Sequence, residues 1–231
     1  MEAQAYFDAE ADRLAKAWLS KFEAQIHALS DDRKESYRQI IEMSTEPQDM
    51  GLVKPEARYE ATKVREKDEV KSLPVWDRHL LCDQAGTYPA EFKSTWEPMV
   101  VEAESKRNGF LFWYRNPSQP GQSSLGIAYE KAGHYRIVRP DFLFFAEQDG
   151  MPVVDLIDPH GLHLDDALPK LQGLALYAGN HMNFFRRIES IAQVKGKLRT
   201  LDLKRQDVRA AISAAQDAEV LFSSGLADDY Q

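Results

Sequence analysis

Two carboxylates and an imidazole stand out in residues 139–161, RPDFLFFAEQDGMPVVDLIDPHG. Both halves of this stretch are apolar runs interrupted by acids. An unpaired buried carboxylate is costly, so acids in such runs sit at strand ends or meet a cation or a partner. Asp141 follows Pro140 directly, Asp158 closes the second run, and His160 lies two residues on, the spacing of one strand face. Gln148-Asp149-Gly150 between the runs is a hairpin-type turn, so the two runs are expected as neighbouring strands. Two carboxylates on adjacent strands can hold a hard divalent cation, Mg2+ or Mn2+, through oxygen ligands. Such a cation polarises a phosphate and makes its bound water more acidic. Asp155 competes with Asp158 as the metal ligand: three residues apart, they point to opposite faces of a regular strand, and Asp158 could instead form the turn before Pro159. His160 could position or deprotonate an attacking water, or simply cap the next helix. His160 and His163 suggest a zinc pair only weakly, because no cysteine lies near.

These residues need elements to hold them. Residues 90–107 read as helix, with Pro98 suited to the first turn and regular helix starting near Glu97. Glu97 and Glu104 lie two turns apart on one face, where solvated charges are the ordinary outcome. Residues 110–117, 125–132, 134–147 and 151–158 read as four strands, the third the longest and the fourth with a nearly continuous apolar centre. Residues 164–180 have helical spacing, with Asp165 and Asp166 at the positive end of the dipole. Residues 183–194 read as strand or short helix, 196–203 as strand, and 205–225 as one closing helix ending at Gly225. The order predicts an α/β (α+β) core built on a mixed sheet. Trp113 and Tyr114 are expected in the core, Cys82 buried and inert. Arg115, Arg136 and Arg139 either contact phosphate or pair with the acid surplus.

Pro140-Asp141, a turn, and an apolar strand ending in Asp158-Pro159-His160-Gly161 resemble the PD-(D/E)XK nuclease pattern. His160 stands where that family usually has lysine. The resemblance implies a fold of the restriction-endonuclease-like type, with Asp141 and Asp158 as ligands of Mg2+ (or Mn2+) and Glu97 of the preceding helix joining them. It also implies a catalytic role for His160, with Lys170 of the following helix supplying the missing charge. A broader likeness over roughly residues 73–205 runs through LPVWDRHLL, WYRNP, RPDFLFF, DPHG and KLQGLALYA. It is to the C-terminal nuclease-like region of type III restriction and related DEAD/DEAH-type helicases. That likeness implies DNA as substrate, a helicase or ATPase partner or fused motor, and a restriction or antiphage-defence setting. No GxxxxGKT loop or DEAD-type box occurs here, so the motor would lie elsewhere. A catalytically inactive nuclease fold that docks a helicase is the other expectation.

Composition bounds the setting. The chain has 231 residues, 43% of them hydrophobic, enough for one sizeable core. Its net charge of −8 argues against a DNA-binding module acting alone, because phosphate neutralisation needs a basic surface. A single cysteine excludes an internal disulfide framework and a CxxC zinc site. The opening segment is charged throughout, unlike a signal peptide, and no apolar stretch reaches the ~20 residues of a membrane span. The cytoplasm, away from membranes, is the expected location. Residues 1–44 are expected as a helical N-terminal segment broken at Ser30-Asp31-Asp32, residues 45–74 as a linker or extended arm, and 75–231 as the nuclease-like domain.

Overall fold

The computed structural model describes residues 2–29, 37, 63–66, 69–92, 94–118 and 123–230. The N-terminal part holds helices α1 (Glu2–Lys21) and α2 (Glu23–His27), then an exposed hairpin of β1 (Lys63–Glu66) and β2 (Glu69–Ser72). A second small hairpin, β3 (Val75–Asp77) and β4 (Thr87–Pro89), leads into helix α3 (Trp96–Ser105). The remaining elements are β5 (Phe110–Arg115), β6 (Ile127–Lys131), β7 (His134–Val138), β8 (Phe142–Gln148), β9 (Met151–Pro159), α4 (Ala167–His181), β10 (Arg187–Val194), β11 (Lys197–Asp202), α5 (Gln206–Ala214), α6 (Ala218–Ser223) and β12 (Asp228–Asp229).

Six strands form one mixed sheet in the order β12-β11-β10-β9-β8-β5. Only β9 and β10 run parallel, joined by the α4 crossover; the other pairs are antiparallel. Asp149 and Gly150 make the β8–β9 turn with φ of 54° and 76°, the left-handed conformation that a tight hairpin demands. Leu156 and Ile157 of β9 point to opposite faces and are both fully buried, as the apolar run predicted. On one face, Val100 and Val101 of α3 pack on Trp113, Phe142, Phe144, Ile157 and Ile191. On the other, Leu171, Leu174 and Ala178 of α4 meet Leu156, Ile188, Leu201 and residues of α5 and α6.

Several expectations change in the structure. The strand expected over 134–147 breaks at Arg139-Pro140, because proline offers no N–H to a ladder. Its first part, β7, pairs with β6 in a separate hairpin that packs on α4, while β5 pairs directly with β8. The closing helix is two helices: α6 restarts at Asp217, whose carboxylate accepts from the Glu219 amide at 2.7 Å. Within the segment expected as a linker, residues 63–66 and 69–72 pair as a hairpin; 45–62 lie outside the described residues. The first helix breaks at Phe22, and Ser30-Asp31-Asp32 lies outside the described residues. Among the described residues, no helix is long and apolar enough to cross a membrane.

Candidate active site at the end of the hairpin

The β8–β9 register places Phe142 opposite Ile157, so the next residues outward, Asp141 and Asp158, meet across the hairpin. The Asp141 amide donates to Asp158 Oδ1 at 3.3 Å. Asp158 is buried, at the end of β9 where that strand runs beside Ser190 of β10, whose hydroxyl donates to the Asp158 carbonyl at 3.4 Å. Asn116 closes the far side. Its amide donates to the Asp141 carbonyl at 2.8 Å, and its side chain bonds both backbone groups of Leu125. The pair is thus held by the Asp141 amide, by Ser190 of β10 and by Asn116 in the loop after β5.

His160 is also buried. Its backbone N–H donates to the Ile191 carbonyl at 2.6 Å. Its ring lies between the Asp158 carboxylate (Nδ1 to Oδ2, 3.3 Å) and the Ala167 carbonyl at the start of α4 (Nε2 to O, 2.7 Å). The ring stands beside Asp158, at the position where the sequence pattern expects lysine.

The other sequence-predicted residues lie apart from this pair. Glu97, at the first turn of α3, accepts from Ser94 Oγ at 2.9 Å and from Arg115 Nη2 at 3.3 Å. Lys170 reaches back one turn along α4 to Asp166 at 3.0 Å, and Tyr129 donates to the same carboxylate at 3.0 Å. His163 is exposed.

Asp155 points to the opposite face from Asp158 and is fully buried. Arg186 binds it through both Nε (2.9 Å) and Nη2, and Arg187 adds a further contact at 2.8 Å. Burial alone would push the Asp155 carboxyl up; hydrogen bonds from Arg186 and then Arg187 outweigh it and hold it below the ordinary range. Arg187 also grips Glu104, so the glutamate expected in solvent is buried and ties α3 to the sheet. Tyr230 donates to Glu104 at 2.6 Å and brings the C-terminus onto the same cluster. Glu189, beside Arg187 at 3.5 Å, has its carboxyl pushed up by burial despite Arg187, with Glu104 adding repulsion.

The YagJ family model matches residues 77–231, which include the whole six-stranded sheet and its helices. The chain belongs to the YagJ family. Protein YagJ of Escherichia coli (strain K12) is 67% identical over 231 residues, covering 100% of this chain and 95% of that protein. No solved structure matches. The region shared with the YagJ family carries both carboxylate sites, while α1, α2 and the β1–β2 hairpin precede it.

Which groups in this YagJ-family chain suit a metal follows from their existing partners. Among the described residues, no three acidic, histidine or cysteine side chains converge as a metal cage. Mg2+ does not need one: it keeps several waters and is held by one or two carboxylates plus substrate phosphates. Asp141 and Asp158 are the acids that the hairpin end brings together, with Asp158 engaged at both oxygens by the Asp141 amide and the His160 ring. Asp155 does not fit that donor set, because two guanidinium groups already saturate it. A zinc pair of His160 and His163 does not fit either, since both ring nitrogens of His160 are engaged.

Sequence reasoning missed His79. It is buried against Tyr88 (ring centroids 3.5 Å) and Trp113 (4.5 Å). The backbone amides of Leu81 and Arg115 approach its two ring nitrogens, each at 3.0 Å. Burial, helped by the charge of Arg115, pushes its pKa down to about 3, so it is neutral at physiological pH. Nothing in the local pattern marks it. The Arg186-Arg187 doublet opening an apolar strand was the one legible sign of the Asp155 cluster.

Proposed function

We propose that this chain is a nuclease domain of the restriction-endonuclease-like type that hydrolyses DNA phosphodiesters with Mg2+ or Mn2+. The observation that carries the reading is the meeting of Asp141 and Asp158 across the end of the hairpin, with His160 against Asp158. The element order supports it: a helix, an antiparallel hairpin with its acids at one end, a crossover helix, and a parallel strand. In this reading Asp141 and Asp158 hold the cation. A bound Mg2+ supplies charge for the scissile phosphate and makes a water more nucleophilic. His160, where the pattern expects lysine, lies against the Asp158 carboxylate and positions it, and releasing its ring from the Ala167 carbonyl would let it reach that water. Arg115, held by Glu97 opposite Phe142, meets a DNA phosphate. With a net charge of −8 the domain does not grip DNA alone, so a helicase or ATPase partner of a restriction or antiphage-defence system supplies affinity.

A second reading has its own observation. Asp158 is buried and His160 already has both nitrogens occupied, which suits an inactive nuclease fold that docks a helicase. Plasmid cleavage separates the two. The nuclease reading expects nicking with Mg2+ or Mn2+ that EDTA abolishes and that D141N and D158N each lower by at least ~100-fold. No cleavage with either metal, together with a stable complex with a helicase, selects the docking module.

A further inference from the structure

β9 outruns its parallel partner. β10 begins opposite Asp155, and the last bond before it runs from the Arg186 amide to the Val154 carbonyl at 2.8 Å. Residues 151–153 therefore pair with β8 on one side only. Beside them lies a cleft of about 630 Å3, bounded by the turn before β10 and by Lys204 after β11, inside the ~300–1,000 Å3 range of small-molecule sites. Pro152 shares the edge orientation of Val154 and lacks an N–H, so a further strand cannot extend the sheet here. The cleft instead suits a compact ligand.

Its chemistry is uneven. Met151 is 65% and Phe184 67% exposed, offering an open apolar face with one aromatic ring. Lys204 Nζ is held at the cleft by the carbonyls of Phe185 (2.8 Å) and Arg186 (3.2 Å). These acceptors are neutral, so they orient the ammonium without cancelling its charge. Arg209 holds the backbone of the same turn through the carbonyls of Leu203 (2.9 Å) and Lys204 (2.6 Å). Arg186 uses Nε and Nη2 on Asp155, leaving Nη1 for another partner. The one acid lining the cleft, Asp149, belongs to the β8–β9 turn.

We propose that this cleft binds a phosphorylated aromatic ligand of mononucleotide size, with its phosphate at Lys204 and Arg186 and its ring on Phe184. The ligand is either a free nucleotide or the phosphorylated end of a DNA strand. The site is independent of the nuclease reading, since it sits toward the other end of β9, with Val154 about 13 Å and Met151 about 23 Å from Asp158 at ~3.3 Å per residue.

Calorimetric titration of the full chain without divalent metal tests it, using dAMP, deoxyadenosine, inorganic phosphate and a 5′-phosphorylated tetranucleotide as probes. The expected result is saturable dAMP binding, with deoxyadenosine and phosphate each at least ~10-fold weaker. F184A and K204Q should each weaken dAMP about 10-fold, through lost stacking and lost charge respectively. If K204Q fails to fold because the turn carbonyls lose their donor, the exposed F184A alone decides the matter. Tetranucleotide binding tighter than dAMP assigns the site to strand ends, and weaker binding assigns it to free nucleotides. Unchanged dAMP affinity in F184A, or no saturation by ~10 mM dAMP, overturns the proposal. Because no metal is present, either result stands whether or not the chain cleaves DNA.

Discussion

Asp155 is fully buried, and its only compensation is the pair of guanidinium groups that approach it from the start of β10. D155A leaves Arg186 without its carboxylate partner and Arg187 with Glu104 and Glu189. It should cost about 3–5 kcal/mol, the usual penalty for breaking a buried ion pair from one side, read as a lowered urea midpoint. The same residue shows what a local pattern cannot convey. In sequence Asp155 competes with Asp158 as the metal ligand on one strand, and only the following His160-Gly161 favours Asp158. What separates them is strand alternation, which sends them to opposite faces, and the presence of Arg186 and Arg187 some 30 positions away on one face only. His160 was legible as chemistry, but its carbonyl partner Ala167 depends on where α4 begins. Glu104 read as a surface charge because its partners Arg187 and Tyr230 arrive from distant strands.

At the scale of elements, periodicity located β5, β9, α4 and β11, because each is an apolar run bounded by turn residues, while β7 and β8 read as one strand. It did not show that β6 and β7 leave the sheet, since pairing partners are a property of the assembled core. The contact that holds this hairpin down is unusually close. A Cβ at Gly173 of α4 would lie 2.5 Å from the Tyr129 Cβ and 3.1 Å from the Ala128 carbonyl oxygen. G173V should therefore force helix and hairpin apart. The expected cost is about 1–3 kcal/mol, with faster proteolysis inside β6–β7 and little change at β9–β10. Equal protection of the hairpin in wild type and G173V would show that the approach tolerates a side chain.

For the whole molecule, the acid side of the stability profile should be governed by buried groups other than Asp141. His79 has a folded pKa of about 3, below its unfolded value near 6.5. Its contribution is complete above pH ~6.5 and is lost as pH falls through about 3. Asp155, held low, acts in the same direction: its contribution is present above its unfolded value and lost as pH falls through its folded one. Glu189, pushed up, has the opposite sign and favours the fold at acid pH. Between pH 6.5 and 4 the His79 contribution alone is on the order of 3 kcal/mol at ~1.4 kcal/mol per pH unit. Urea midpoints should fall across this range, and H79Q, which cannot titrate, should flatten the slope. The hairpin turn at Asp149-Gly150 also orders events in time. β8 and β9 need only two residues to meet, whereas β9 and β10 must wait for α4 to cross between them, and short loops close at less entropic cost. G150A, forced to φ near 76°, should slow refolding about 5-fold while leaving unfolding almost unchanged, a stopped-flow signature of an early structure. A ribosome that has released little beyond Asp158 has thus already delivered every residue of the β8–β9 pairing, and only His160 still awaits its helix.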